Sequence, residues 1–249
     1  MSTKKGISLF DQGRYDEARA EFEKAIPRSP DDAELHNWVG RVALKQMVYE
    51  DAEQAFRKAS ELNSQEPAYH YNQGLALQGL GRLADAEKEY RAALNLDENY
   101  LLARRGFGSL LFNRGLYGEA KVQFEKALSL DPSDADIHND LGRVALKQER
   151  YVDAERFFRK TSELKPAEPA SHYNLGLALQ YLERFPEAEM EYRVALNLQK
   201  DYLLALQGLG SLLFDQGRYD EAKAEFEKSL SLSPDDADTL NSLGRIEIA

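Results

Sequence analysis

The chain contains no cysteine among its 249 residues. Disulfide frameworks, thiolate metal sites and cysteine nucleophiles are therefore excluded. No apolar run approaches the roughly 18 residues that a membrane-spanning helix needs. No apolar segment follows Lys4 and Lys5, so a secretory signal is not expected either.

A basic excess is also missing. The formal net charge is −11 and the isoelectric point is near 5.0. Nucleic acids and anionic membranes attract basic surfaces, so neither is an expected partner. The sequence does not identify the compartment, and a soluble, cytoplasmic location is the expectation.

Glycine recurs with a fixed spacing of 34 residues. The positions are Gly6, Gly40, Gly74, Gly108, Gly142, Gly176, Gly210 and Gly244. An alanine and an aromatic residue keep the same spacing, beginning at Ala18 and Phe22. The stretch FDQGRYDEA occurs at Phe10–Ala18 and again at Phe214–Ala222, six periods later. A fixed period of this kind predicts stacked supersecondary units.

Each period holds two segments with helical spacing of apolar residues, separated by a short turn. Four of the seven turns carry a glycine that suits the left-handed residue ending a helix: Gly13, Gly81, Gly115 and Gly217. Helices of about 13 residues are marginal alone, so stability is expected from packing between neighbouring helices. We expect the periodic glycines to let two helices approach closely, with the Phe22-type ring filling the gap beside them.

The period and its Gly, Tyr, Ala, Phe and Pro positions resemble the tetratricopeptide repeat (TPR) family over nearly the whole chain. The resemblance implies an all-α, right-handed superhelical solenoid of helix-turn-helix repeats. Two family positions depart from the pattern. Histidine, arginine or leucine, as at His36 and Arg104, replaces the tryptophan, and the closing proline is absent at Ser64, Glu98 and Lys200.

The resemblance predicts a single array over residues 1–249. Its repeats are 1–32 (truncated at its start), 33–66, 67–100, 101–134, 135–168, 169–202, 203–236 and a half repeat, 237–249. A longer period lies above this one, because 33–134 and 135–236 align without a gap and about 65 of 102 positions are identical. We call these segments the first and second block. A recent duplication is the favoured origin, and an engineered or excised segment is the alternative.

No residue pattern supports catalysis. The four histidines share one repeat position, and equivalent residues of stacked repeats lie about 10 Å apart, too far to share a metal ion. The GFGS stretch at 106–109 lacks the glycine pattern, lysine and preceding strand of a phosphate loop. The carboxylates are not paired in any recognisable pocket. We therefore expect no enzyme, no cofactor and no metal site.

In TPR proteins, the first helices of successive repeats line a concave groove that receives peptides or partner helices. By repeat position, the resemblance implies a groove lined by Asn37, Arg41, Lys45, Tyr71, Asn72, Leu75, Arg105, Ser109, Phe112, Asn139, Arg143, Lys147, Tyr173, Asn174, Leu177, Gln207, Ser211 and Phe214. Trp38 lies on the same stripe as Asn72. Tyrosine and phenylalanine provide stacking area, and asparagine provides amides for a peptide backbone.

The expected ligand is a protein or peptide segment with acidic and apolar groups. Arg41 and Lys45 lie four residues apart on one helix face, and Arg143 and Lys147 repeat this pair. Arg41, Asn72 and Arg105 only partly resemble the clamp with which some TPR domains hold a C-terminal carboxylate.

Two other functions stay open. The chain is alternatively a self-assembling structural protein, or a regulatory or substrate-recognition segment of a larger protein. At the N-terminal end the first helix is poorly apolar, so Ala18, Phe22 and Ala25 are expected to have little cover. At the other end Leu240, Leu243 and Ile246 are expected to face water. These complementary ends predict weak head-to-tail self-association.

Overall fold

The computed structural model describes residues 2–248, and these contain fifteen α-helices and no strand. The helices are α1 (Ser2–Asp11), α2 (Tyr15–Ala25), α3 (Ala33–Lys45), α4 (Tyr49–Leu62), α5 (Pro67–Gly79), α6 (Leu83–Leu96), α7 (Leu101–Asn113), α8 (Tyr117–Leu130), α9 (Ala135–Lys147), α10 (Tyr151–Leu164), α11 (Pro169–Tyr181), α12 (Phe185–Leu198), α13 (Leu203–Asp215), α14 (Tyr219–Leu232) and α15 (Ala237–Ile248). The predicted all-α class is confirmed. No helix among the described residues is both long and apolar enough to cross a membrane.

The chain divides into two compact units, the first ending at Leu130 and the second beginning at Asp131. In the first unit, α1 to α8 form four antiparallel hairpins, and each helix packs against the next one along the chain. In the second unit, α9 to α14 form three hairpins, and α15 packs on α14. Within each unit this is the stacking expected of a helical solenoid.

Aspartate side chains cap the first helices α3 and α9. The Asp32 carboxylate accepts a hydrogen bond from the Leu35 backbone amide at 3.1 Å. Asp134 caps α9 in the same way, since its carboxylate accepts from the amides of Asp136 and Ile137. These side chains satisfy amides that have no partner within the helix.

Every turn inside a hairpin contains one residue in the left-handed region. The four predicted glycines have φ between 72° and 76°. Met47, Glu149 and Glu183 occupy the other three turns with φ between 57° and 60°. Each turn is closed by a hydrogen bond such as that from the Val48 amide to the Ala43 carbonyl, at 2.9 Å. The same geometry is therefore adopted with and without glycine.

The periodic glycines each lie directly against an aromatic ring of the same hairpin. A Cβ atom added at Gly142 would lie 2.5 Å from a ring carbon of Phe158, which is fully buried. Gly6 and Phe22 repeat this contact, as do the glycine–aromatic pairs of the five other hairpins. The expected close approach is confirmed, and it fixes the distance between the two helices of each hairpin.

Replacing Gly142 with alanine should lower the free energy of unfolding. The added methyl group must displace the Phe158 ring, and overpacking of this kind costs about 1–3 kcal/mol. That loss should exceed the gain of about 1 kcal/mol in helix propensity. Urea denaturation followed by circular dichroism measures the change. Gly118→Ala is the matched control, because its Cβ would meet no atom within 4 Å. Equal effects of the two substitutions would contradict the proposed role of the contact.

The two ends differ from the sequence-based expectation. Ala18 and Phe22 are fully buried, because Leu9 and the partly buried Ile7 and Phe10 of α1 cover them. The prediction that α2 has little cover is therefore wrong. Three apolar side chains of this ten-residue helix, together with Leu35 and Trp38 of α3, are enough.

At the other end, the expectation holds for Leu240 alone. Leu240 is 47% exposed. Leu243 and Ile246 are only partly exposed, because they pack against the core that contains Phe226 and Leu213. The prediction that these two residues face water is wrong. The side chain of Ile248 and all of Ala249 lie outside the described residues.

The four histidines bind backbone at the start of the first helices. The Nε2 atoms of His36, His70, His138 and His172 lie 2.7–3.3 Å from the carbonyl oxygen six residues earlier in the chain. Each ring thus ties the loop between repeats to the helix that follows. The described residues contain no group of His, Asp or Glu side chains able to hold a metal ion.

The His70 ring also joins α5 to α6. Its Nδ1 lies 2.8 Å from a Glu89 carboxylate oxygen, and this hydrogen bond raises the pKa of His70. A raised pKa in the folded state stabilises the fold fully below the unfolded pKa of about 6.5, and the contribution disappears as pH rises through the folded value.

His70→Gln should therefore destabilise the protein more at pH 5.5 than at pH 8.5. Denaturation in urea at the two pH values measures the difference. In a Glu89→Gln background the pH dependence of the His70→Gln effect should fall, since the larger of the two contacts that raise the His70 pKa is gone. An undiminished pH dependence in that background would assign it to another group.

Candidate functional site: the face lined by the first helices

The first helix of each hairpin contacts the first helix of the next. In the first unit, α1, α3, α5 and α7 contact one another in this order. In the second unit α11, α13 and α15 do so, and Asn139 of α9 binds Asn174 of α11. We call the surface that these helices form in each unit its first-helix face. The predicted groove residues lie on it.

Asparagine pairs connect neighbouring first helices. The Asn72 amide nitrogen Nδ2 donates to Oδ1 of Asn37 at 2.8 Å, and Asn174 donates to Asn139 at the same distance. Asn37 is buried by this contact, whereas Asn72, Asn139 and Asn174 are partly exposed. The amides therefore have fixed orientations before any ligand arrives.

Tyrosines form a second set of contacts on this face. The Tyr71 ring lies 5.8 Å from that of Tyr100, edge to face, and 6.1 Å from that of Tyr90. Gly106 leaves space for the Tyr71 and Tyr90 rings, since a Cβ there would lie 3.1 Å from the Tyr71 ring. Burial raises the pKa of Tyr71, and it raises the pKa of Tyr100 to about 12. Both hydroxyl groups are thus neutral near pH 7 and able to donate a hydrogen bond.

The second unit repeats this arrangement. The Tyr173 ring lies 5.9 Å from Tyr192 and 6.0 Å from Tyr202, again edge to face with the latter. The buried Tyr192 hydroxyl donates to Gln180 at 2.8 Å, as Tyr90 does to Gln78 at 2.9 Å. Tyr173 and Tyr202 also have pKa values raised by burial. The tyrosine sets of the two blocks are structurally equivalent.

Arginine contacts differ between the blocks. The Arg41 guanidinium lies 4.0 Å from the Trp38 ring centroid and 5.1 Å from that of Phe10. We call Phe10, Trp38 and Arg41 the Arg41 cluster. In the second block Asp140 stands where Trp38 stands in the first, and its carboxylate lies 3.6 Å from Arg143.

A further difference lies at Arg105, whose counterpart in the second block is Gln207. Arg105 is partly exposed beside Tyr71 and lowers the tyrosine pKa slightly against the effect of burial. Gln207 instead donates to Asp236 at 3.1 Å and to Thr239 at 3.2 Å. The first-helix face of the first unit thus has a positive charge where the second has a neutral amide.

The remaining predicted groove residues vary in exposure. Lys45, Lys147 and Ser211 are exposed, whereas Leu75, Ser109, Phe112, Leu177 and Phe214 are partly buried. Phe112 and Phe214 each lie against the first tyrosine of the next helix, at 5.4 Å from Tyr117 and 5.3 Å from Tyr219. These two rings brace their hairpins and also border the face.

Sequence reasoning missed Phe10, Tyr100, Tyr202 and Arg245. The Arg245 guanidinium lies 4.6 Å from the Phe214 ring centroid, as Arg41 lies over Phe10. The 102-residue period contains the signal, because Gly-Arg occurs at 40–41, 142–143 and 244–245 and a phenylalanine precedes each arginine by 31 residues. A comparison of the blocks position by position would have marked these residues as recurring, although not what they contact.

Stacked antiparallel hairpins, with one aromatic ring on one glycine in each, define a helical-repeat protein. Four sequence models described as tetratricopeptide repeat match the chain, over residues 3–67, 67–100, 111–180 and 168–232. The chain belongs to the tetratricopeptide repeat family. The resemblance found in the sequence is thereby confirmed.

Solved structures agree with this assignment. YrrB, a TPR protein whose structure was described as having an unusual peptide-binding site, is 25% identical with a TM-score of 0.63, over 77% of this chain and 98% of YrrB. A chain of the APC/C hetero-tetramer Cut9–Hcn1 is 20% identical with a TM-score of 0.80, over 97% of this chain and 48% of its own. PilF of Pseudomonas aeruginosa is 20% identical with a TM-score of 0.75, over 87% of this chain and 96% of PilF. A search of the curated proteins found no match.

Proposed function

We propose that this chain is a protein-interaction scaffold that binds a peptide or an extended partner segment on its first-helix faces. Tetratricopeptide repeats are in general protein-interaction scaffolds, and this chain is built of them. The observation that carries the proposal is the repeated, braced set of amides and tyrosines. Asn72 and Tyr71 are held by neighbours in the first unit, and Asn174 and Tyr173 are held identically in the second.

This bracing favours binding on physical grounds. Side chains that are already fixed lose little rotamer entropy when a ligand binds, so more of the contact energy appears as affinity. Tyrosine offers stacking area together with a hydroxyl donor, and asparagine offers a donor and an acceptor for a peptide group. YrrB, the solved TPR structure described by its peptide-binding site, supports the same kind of ligand by analogy.

The ligand we propose has acidic and apolar groups. Arg41 and Arg143 lie on the first-helix faces, and Lys45 and Lys147 are exposed one helical turn further on. The aromatic rings beside Arg41 provide apolar area. Attraction between exposed charges weakens with salt, so the affinity for such a ligand should fall as ionic strength rises.

A displayed library of random peptides tests this proposal. Peptides enriched on the wild-type protein should bind Arg41→Glu/Arg143→Glu at least about tenfold more weakly, equivalent to about 1.4 kcal/mol. The control is Arg57→Glu/Arg159→Glu, which makes the same change in net charge on α4 and α10, outside the first-helix faces. Equal loss in both variants, or no enrichment above background, would contradict the proposal.

We propose self-association through α15 as a second candidate function. Leu240 is 47% exposed, and no described atom lies within 4 Å of a Cβ built at Gly244, unlike the seven preceding glycines of the series. The complementary surface once expected at the other end does not exist, since α1 covers Phe22. The candidate contact is therefore one in which the exposed Leu240 side chains of two copies meet.

Sedimentation velocity over an approximately hundredfold range of concentration tests self-association. We expect a sedimentation coefficient that rises with concentration for the wild type and stays constant for Leu240→Glu, because a charge in a small apolar contact opposes its burial. Leu102→Glu is the control, since Leu102 is exposed to 46% on a different helix. Monomeric behaviour of the wild type throughout would rule out this candidate.

A further inference from the structure

The single tryptophan of the chain lies on the first-helix face of the first unit. The Trp38 ring stacks on the buried Phe22 ring, with centroids 5.9 Å apart and planes 18° apart. It meets the Phe10 ring edge to face at 5.5 Å. Its Nε1 donates to the Glu34 carboxylate at 3.4 Å. Three neighbours thus fix the orientation of the Trp38 ring.

The Trp38 and Phe10 rings position the Arg41 guanidinium. The rings of Trp38 and Phe10 lie 4.0 Å and 5.1 Å from its central carbon. A guanidinium that stacks on rings through its planar faces keeps its N–H edge available for a carboxylate. Asp11 and Tyr100 are its electrostatic neighbours, yet Arg41 makes no ion pair with any described carboxylate. Arg41 is partly buried, and this burial lowers its pKa.

The copies of Arg41 have different surroundings. Arg143 lies 3.6 Å from Asp140, which is buried, so a carboxylate already compensates its charge. Arg245 lies over Phe214, but Ser242 occupies the position that corresponds to Trp38. Of these three arginines, only Arg41 therefore stacks on a tryptophan and forms no ion pair with a described carboxylate.

We propose that Arg41 is the receptor for a side-chain carboxylate of an internal acidic segment of the ligand, and that the second block has no equivalent receptor. This inference rests on the proposed function and assigns the two blocks different roles in it. An apolar ligand residue next to the carboxylate lies against Trp38 and Phe10. The second block contributes its braced tyrosines and asparagines and does not discriminate for charge.

The choice of an internal segment follows from the surroundings of Arg41. Phe10 of α1 lies on one side of it, and Tyr71, Tyr100 and Arg105 continue the face through α5 and α7 on the other. A chain can therefore extend past Arg41 in both directions. A free C-terminus would need a site that ends at its carboxylate.

Trp38 itself reports the test, since its emission is the only tryptophan signal. The probe is a short acetylated and amidated peptide of alternating Glu and Leu, and the matched probe has Gln in place of Glu. A third probe is the Gln peptide with a free C-terminal carboxylate. Titration calorimetry, which does not depend on Trp38, measures binding of the same peptides in parallel.

We expect the Glu peptide to change Trp38 emission and to bind at least about tenfold more tightly than either Gln peptide. Arg41→Gln should remove this preference for Glu. Arg143→Gln should lower affinity for the Glu and Gln peptides equally and keep the preference, because Asp140 already compensates its charge, and Arg57→Gln on α4, outside the first-helix faces, is the control that should change neither. Circular dichroism confirms that each variant is folded, and Arg41→Lys should restore only part of the preference because an ammonium lacks the planar N–H edge.

Three outcomes overturn the inference and leave the proposed function intact. The first is calorimetric binding of the Glu peptide without a change in Trp38 emission. The second is an equal loss of preference in Arg41→Gln and Arg143→Gln. The third is equal affinity for the Glu peptide and the free-carboxylate Gln peptide, which would assign the receptor to a chain terminus. Failure of library peptides to bind at all would instead remove the proposed function.

Discussion

One contact recurs in every hairpin and fixes the rest of the structure: an aromatic ring packed directly against a glycine. The ring of Phe158 would be only 2.5 Å from a Cβ at Gly142. A helix without a side chain at this point lets its partner approach closely, and a fully buried ring then fills the remaining volume. Because the same contact occurs at 34-residue intervals, successive hairpins have the same internal geometry. Within each unit, the first helices consequently lie beside one another as a face.

The first-helix face contains the side chains that we propose bind the ligand. Tyr71 packs against Tyr90, which is itself the ring placed on Gly74. The packing that holds the hairpin together therefore also orients a residue on the first-helix face. Asn37 and Asn72 add a hydrogen bond between successive first helices. The side chains proposed to bind are thus adjacent to those that hold the hairpins together, and buried residues fix the orientation of the partly exposed ones.

Much of the fold could be predicted from the sequence because every turn and contact is local and repeated. The glycine–ring spacing of 16 residues, as between Gly6 and Phe22, directly encodes the hairpin. The ends could not be predicted as well, since they have no second copy to compare. The cover that α1 gives to Phe22 depends on only three apolar side chains, too few to be recognised as a helical pattern in the sequence.

The candidate site was only partly predictable. The repeat register located Asn72, Tyr71 and Arg41 on one face. It could not show that Arg41 stacks on Trp38 while Arg143 meets Asp140, because both arginines follow a glycine in identical GRVALKQ segments. The difference arises three residues earlier in the chain and becomes visible only when side chains are placed in three dimensions.

The seven hairpin turns are not equally relaxed, although they have the same shape. Gly13 adopts a positive φ at no steric cost, whereas Met47, Glu149 and Glu183 must hold a Cβ in the left-handed region, at a cost of about 1–2 kcal/mol each. The hydrogen bond from Val48 to Ala43 and the nearby glycine–ring contact hold this strain in place. Local opening of a strained turn releases that energy, so its opening free energy is lower. Strain therefore lowers the free energy of local opening in the turns of three hairpins, α3/α4, α9/α10 and α11/α12.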